Sequence, residues 1–270
     1  MRKEREDIIK LAKISSWAKV SKKAIIEEEV IIHPFAVIED NVKIGKGTEI
    51  FSHVIILKGT EIGENNKIYP GCVLGVLPFD LKYQGEESYL KIGNNNIIHE
   101  GTTISKATGK GEATIIGNNN FIMAYIHIAH NCRIGNNNII TNHTQIGGHC
   151  EIFDYVNIGG NCGIHQYVRI GSYSFVGAFS YLKKDLLPFM IGEGNPFKVY
   201  GINTVGLLRA NFDKEKIAIL KKLYRIIYHS KLNLSQAINY IRNNLPKIPE
   251  IELIIDFIKK TKRGISLKTY

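Results

Sequence analysis

From Val20 to Leu182 an aliphatic residue falls on every sixth position: Val20, Ile26, Ile32, Ile38 and onward to Ile158, Ile164, Ile170, Val176 and Leu182. Only positions 80, 86 and 110 break the series, and the count resumes in phase after each break. An amphipathic helix repeats its apolar residues at a period of about 3.6, and a half-buried strand at about 2. A strict period of six satisfies neither and fits a hexapeptide β-helix. Two positions before each aliphatic residue the side chain is usually small, as at Ala36, Thr48, Cys72, Thr102, Thr144 and Cys162. A bulky residue in mid-face with a small one near the corner builds one side of a triangular coil. Three hexads close a coil of about 18 residues. Successive coils then pair as parallel strands about 4.8 Å apart.

The breaks and flanks divide the chain. Residues 1–16 read as a short capping helix, with Ile8, Ile9 and Leu11 among charged residues; a cap covers the unpaired backbone at the open end of a solenoid. Residues 17–198 form the β-helix and 199–270 a helical domain. The break at 78–89, PFDLKYQGEESY, is a loop two hexads long that leaves the coil, and loops on a rigid scaffold often carry function. The break TGKGEA at 108–113 is a second surface loop. Three Gly-Asn-Asn-Asn copies, at 93–96, 117–120 and 135–138, read as coil corners, because Gly and Asn tolerate positive φ. After Leu182 the repeat stops and 183–206 read as irregular. Ile217, Leu220, Leu223, Tyr224 and Ile227 then keep helical spacing over 213–229. Ser235 is placed to cap a second helix ending near Asn244, and Pro249 to open a third ending near Gly264.

Composition narrows the function. No run of about 18 apolar residues could span a membrane, and Met1 to Lys13 lacks the apolar core of a secretion signal; the expectation is a cytoplasmic protein. The four cysteines occupy small inward positions of their hexads and read as reduced, space-filling side chains. No C-x-x-C spacing points to zinc, so no metal and no cofactor are expected. The formal net charge of +10 suits an acidic carrier protein or a phosphorylated substrate. Basic residues interleaved with aromatics on one element would suggest nucleic acid, and none occur.

Histidines carry the chemical signal. With about 18 residues per coil, His127, His130, His149 and His165 fall on one edge across three successive coils, off the inward aliphatic positions. Packing does not call for four outward histidines on one edge, and histidine is the usual general base near neutral pH. His33, His53, His99, His143 and His229 read as structural or surface residues.

His127-Ile-Ala-His130, Gly148-His149 and His165-Gln166, with Asp80-Leu-Lys82 upstream and GEGNPFKVYGINTVGLLR downstream, resemble the UDP-N-acetylglucosamine O-acyltransferases that begin lipid A synthesis. The resemblance runs over nearly the whole chain from about residue 20. It implies a mainly β fold: a left-handed parallel β-helix of hexapeptide repeats with a C-terminal α-helical domain, assembled as a homotrimer with sites between neighbours. The donor it implies is a 3-hydroxyacyl group on acyl carrier protein, and the acceptor the 3-position of a UDP-linked N-acetylglucosamine. His130 matches the general base and Gly148 the oxyanion donor. Asp80, Lys82, His127, His149 and Gln166 match substrate-contacting positions, and His165 lies beside them. Asn203 and Arg209 match positions that contact the nucleotide sugar or the carrier. Gly160 and Ala178, one coil apart, are expected to continue the line from Gly148 as an acyl-chain groove. In long-chain members the position of Ala178 is glycine. Two departures leave a 3-amino UDP-sugar, or another hexapeptide-repeat N-acyltransferase or acetyltransferase, as alternatives. Asn131 stands where an acidic residue commonly follows the base, and Thr103–Thr108 replaces an Ile-His-Arg-Gly-Thr run.

Overall fold

A computed structural model describes residues 11–267 and 269. The hexads form short strands, most of two residues, that stack into three parallel sheets. Sheet A has eleven strands, from Lys13–Ile14 to Lys198–Ile202; sheet B has nine, from Lys19–Val20 to Tyr181–Leu182; sheet C has eight, from Ile25–Ile26 to Arg169–Ile170. Register is one coil per step: Ile104 pairs with Ile128, Ile128 with Ile146 and Ile146 with Ile164. The period-six aliphatics point inward as one apolar core; Ile50, Ile104, Ile128 and Ile158 are fully buried. The four cysteines join them as free, buried thiols. Burial pushes the Cys72 thiol up to about 12.

Corners are made by side chains as well as backbone. In each Gly-Asn-Asn-Asn copy it is the third residue, Asn95, Asn119 or Asn137, that takes a φ of 57°, and the glycine does not. The fourth asparagine turns inside. Asn66, Asn96, Asn120 and Asn138 form a buried ladder in which each Oδ1 accepts the N–H of the next asparagine. The second asparagines, Asn94, Asn118 and Asn136, make an outer ladder that ends on Asp154. Asn120→Ala leaves the Asn138 N–H and the Gly135 carbonyl, each bonded at 2.9 Å, without partners. At about 1–3 kcal/mol for each buried unsatisfied group, the stability loss is expected to be about 2–6 kcal/mol. An unchanged midpoint in urea unfolding would count against the ladder as a stabilising element.

The ends differ from the expected boundaries. Residues 1–10 of the expected capping helix lie outside the described residues. Lys13–Ile14 already pairs with Ile31–Ile32, so the first coil begins before residue 17. At the other end, 183–206 are not irregular. Met190–Glu193 and Lys198–Ile202 form an antiparallel hairpin that finishes sheet A, so the helical part begins with α1, Thr204–Arg209, and not at 199. Then come α2, Lys214–His229, α3, Leu234–Asn244, and α4, Pro249–Lys259. Asn233, not Ser235, caps α3: its side chain accepts from Gln236 N while Gln236 returns a bond to Asn233 N, a reciprocal capping box. Helix α4 stops at Lys259 rather than near Gly264. Beyond it, Thr261 and Ser266 bond to Asp185 at the last coil. The Arg169 guanidinium lies 4.3 Å from the Phe257 ring centroid and donates to its carbonyl. Those contacts fasten the helices to the solenoid end.

The three outer faces are chemically unlike. Sheet C carries charges that alternate along its ladder, Lys43, Glu61, Lys91 and then Arg133, Glu151, Arg169. Sheet A turns Ile97, Phe121 and Ile139 outward in one row, and sheet B turns Val37, Ile55 and Val73 outward in another. No described helix is long and apolar enough to cross a membrane.

Candidate active site

The edge between sheets B and C gathers most of the predicted residues, and the long loop of 78–88 folds back onto it. Phe79 stacks on His127 with ring centroids 5.6 Å apart, and Asp80 Oδ2 comes within 3.9 Å of His130 Nε2. His130 packs edge-on against His149 at 5.2 Å. Gly147, Gly148, His165 and Gln166 complete the wall of a hollow of about 450 Å³. His130 points away from the coil axis, as its hexad position requires, but is not open to solvent: it is 8% exposed, because the loop and the next coil cover it.

Asn131 settles which nitrogen of His130 is free. Its Oδ1 accepts the Thr108 N–H at 2.9 Å, and its Nδ2 donates to the Thr108 carbonyl at 3.0 Å. Those two backbone groups fix the orientation of the amide. The same Oδ1 lies 2.9 Å from His130 Nδ1, and an oxygen there requires Nδ1 to carry the proton. In the neutral ring Nε2 is then the acceptor, aimed at Asp80 and the hollow. The neutral asparagine thus does the orienting work of the acidic residue expected at that position, and it ties the second loop to the histidine as well.

Gly148 stands against the imidazole. A Cβ on it would lie 2.7 Å from His130 Nε2, so only glycine fits without moving the ring. Its carbonyl accepts from Tyr167 N, and among the described residues its N–H meets no acceptor. A free imidazole nitrogen and an unpaired N–H donor therefore share one wall. The electrostatics suit them. Burial, with the neighbouring His130, depresses the pKa of His127. Burial, again with His130, also depresses that of His149, so both are neutral near pH 7. The Asp80 carboxyl lies below its ordinary value, chiefly because the Lys82 N–H donates to it at 3.0 Å, with His130 adding to the effect. Lys82 acts here through that backbone bond and through its charge, which adds to the lowering of both Asp80 and His149.

Four predicted residues lie elsewhere. Gly160 and Ala178 do not continue the line from Gly148. They sit on the turn from sheet A to sheet B, at the opposite edge of sheet B's face, because steps of about 18 residues from Gly148 lead to Gln166 and Lys184. Asn203 and Arg209 lie on the sheet A side, lining a cavity of about 630 Å³ with Tyr155, Tyr173 and Tyr200. The Asn203 side chain is already committed: Oδ1 caps α1 by accepting from Gly206 N, and Nδ2 donates to the Tyr173 carbonyl. Gln145, which borders the hollow one register step from His127, was within reach of the coil spacing. Phe79 was not, since a loop has no period. Among the described residues, no three His, Cys, Asp or Glu side chains are grouped to hold a metal ion.

The geometry has close counterparts. The acyl-(acyl-carrier-protein)–UDP-N-acetylglucosamine O-acyltransferase of Thermodesulfovibrio yellowstonii is 48% identical over 253 residues, 93% of this chain and 98% of that protein. The chain belongs to the UDP-N-acetylglucosamine O-acyltransferase family. The family's second-domain profile, Udp N-acetylglucosamine O-acyltransferase Domain 2, matches residues 185–266, and bacterial transferase hexapeptide repeats match 23–58, 41–75 and 113–148. A solved UDP-N-acetylglucosamine acyltransferase from Bacteroides fragilis superposes with a TM-score of 0.92 at 43% identity, covering 93% of this chain and 99% of its own. The Arabidopsis UDP-N-acetylglucosamine acyltransferase gives 0.84 at 30% identity, covering 94% and 99%. The three-sheet coil is the left-handed hexapeptide β-helix of this O-acyltransferase family, and the helices after it correspond to the second domain.

Proposed function

We infer that the protein transfers a 3-hydroxyacyl chain from acyl carrier protein to the 3-hydroxyl of UDP-N-acetylglucosamine, the acylation that begins lipid A synthesis. The observation that carries this reading is the pairing of a free His130 Nε2 with the unpaired Gly148 N–H on one wall. Nε2 takes the proton of the sugar hydroxyl as its oxygen attacks the thioester carbonyl. The Gly148 N–H donates to the oxyanion that forms. Collapse breaks the C–S bond, and the imidazolium returns its proton to the departing thiolate. Asp80, 3.9 Å from Nε2, holds its negative charge where the imidazolium develops and accepts from a sugar hydroxyl. His127, His149, His165 and Gln166 line the sugar's place, with Lys82 at its margin.

The assembly we propose is a homotrimer. The alternating charges of sheet C suit water, whereas the apolar outer rows of sheets A and B suit burial against neighbours. Sheet A of one chain then faces sheet B of the next. That brings Arg209 of the neighbour, and the Tyr155 and Tyr173 rings beside it, opposite the histidine hollow. A guanidinium matches a diphosphate in charge and geometry, and Asn203 supports it by capping α1.

Purified protein given UDP-N-acetylglucosamine and a mixed set of hydroxyacyl carriers is expected to yield one acylated UDP-sugar by mass, cleaved by mild alkali as an ester is. No product with any carrier would refute the transfer, and an alkali-stable product would refute the hydroxyl acceptor. Light scattering is expected to give three chains per particle; a monomer at micromolar concentration would refute the shared site.

A further inference from the structure

Two loops leave the coil beside the histidine hollow, and one carboxylate joins them. Glu86, on the first loop, accepts the Gly109 N–H of the second at 2.7 Å through Oε1. Through Oε2 it accepts the Gln84 N–H of its own loop at 2.8 Å. Bonds from N–H groups to an ionised carboxylate are about twice as strong as neutral ones. These two, the Gly109 bond first, hold the Glu86 carboxyl below its ordinary value. Backbone bonds reinforce the joint: the Tyr89 carbonyl accepts from Ala107 N at 3.2 Å, and the Glu87 carbonyl from Gly111 N at 2.8 Å.

The joint grips the second loop on both sides of Thr108. Ala107 N and Gly109 N are bonded to the first loop, and Thr108 between them gives its N–H and its carbonyl to Asn131. The Asn131 oxygen in turn accepts from His130 Nδ1. Glu86 therefore stands at the head of a chain of bonds that ends on one nitrogen of the imidazole. The first loop reaches the other nitrogen directly, with Asp80 Oδ2 at 3.9 Å from Nε2. Residues 80–86 are closed on themselves. The Asp80 carbonyl accepts from Tyr83 N at 3.0 Å, and the Tyr83 hydroxyl donates to the Glu86 carbonyl at 3.3 Å. A shift of Glu86 is thus passed to both sides of the ring.

Glu86 does not border the histidine hollow, so any part it has in the reaction is played through other groups. Accepting the acyl transfer inferred above, we propose that Glu86 is a positioning residue for His130. By tying the two loops together it keeps the imidazole proton on Nδ1, through Thr108 and Asn131, and keeps Asp80 beside Nε2. Being a side-chain bond, the tie can be cut while the backbone bonds of the loop stems remain. Thr108 then no longer fixes the Asn131 amide. An amide turned over presents Nδ2, a donor, to the ring and favours the tautomer whose proton is on Nε2. That tautomer cannot accept the hydroxyl proton.

The test has a spectroscopic and a kinetic arm. In protein labelled with ¹⁵N-histidine and free of substrate, the wild-type His130 ring is expected to show the Nδ1-protonated tautomer. Glu86→Ala is expected to show a mixture of the two. The same variant is expected to lower kcat by about 10-fold, within the loss of about 10² that a 1 Å misplacement can cause, with a smaller change in KM. Glu86→Gln keeps the length and one acceptor and is expected to fall between the wild type and Glu86→Ala. Lys110→Ala, an exposed change in the second loop, is expected to keep wild-type turnover. In an Asn131→Ala background Glu86→Ala is expected to cost less than it does alone. Should Glu86→Ala fail to assemble, Glu86→Gln carries both arms. A Glu86→Ala or, in that case, Glu86→Gln protein with the wild-type tautomer overturns the proposal, whatever its turnover. So does a fully additive cycle with Asn131→Ala. Absence of transfer by the wild-type protein would count against the acyltransferase reading, while the imidazole spectrum, which needs no substrate, still decides the role of Glu86.

Discussion

His130→Ala is expected to lower kcat by about 10²–10⁴-fold, the usual contribution of a positioned general base, while the particle mass stays that of the wild type. The size follows from the arrangement around Nε2. Asn131 holds the proton on Nδ1, so the other nitrogen is ready to accept before substrate arrives. Asp80 is the nearest carboxylate, but its depressed pKa makes it a far weaker base near neutral pH. The assembly should survive because His130 stands outside the inward aliphatic rows and the Ile128 core beneath it is untouched. KM for the UDP-sugar is expected to change much less than kcat. Retention of more than about a tenth of wild-type turnover, set against the usual size of base catalysis, would remove His130 from the role.

Gly148→Ala is the second large effect. The new methyl would lie 2.7 Å from His130 Nε2 and 2.8 Å from Cε1, distances that real carbon contacts do not sustain. Alanine keeps the N–H and strains no turn, since Gly148 is not among the glycines at positive φ. The ring has to move instead. Moving it by about 1 Å can lower turnover by about 10²-fold, as misplacement of a reacting group does. The route of the effect is testable by a double-mutant cycle. Because the methyl acts through the imidazole, Gly148→Ala is expected to add little once His130 is already alanine. Fully additive losses in kcat would show that the methyl damages the N–H donor or the sugar's place directly.

The solenoid was legible in the sequence for a physical reason. A period of six is imposed by coil geometry on every turn, so Val20 to Leu182 repeats one statement many times over. The histidine edge was legible because coil spacing places His130, Gly148 and Gln166 in one column. The same arithmetic puts Gly160 and Ala178 in a different column of the chain from Gly148. What lay beyond reach depends on segments that have no period. Phe79 comes to the site on a loop whose path no spacing determines, and only the family resemblance placed Asp80 there. The amide of Asn131 read as a lost charge until the Thr108 backbone showed how it is held. Asn233 outcompeted Ser235 as a cap because Gln236 stands three residues after it, completing the reciprocal box. The buried asparagine ladder was hidden because polar side chains in a corner look alike whether they turn in or out.

The in-phase breaks give the chain a reading frame. Its word is the hexad and its sentence the coil, and every site residue has an address in that grammar. The loops of 78–89 and 108–113 enter as whole hexads, so His127, Gly148 and Gln166 keep their face. Inserting one hexad between Ile128 and Ile146 would instead carry His149 to another sheet, with each segment still folded and the chemistry dispersed. A whole coil added before Phe51 would shift nothing but the length of the molecule. Diversity in such a chain is therefore free to grow in loops and in coil number, whereas the spacing between its catalytic words admits no frameshift.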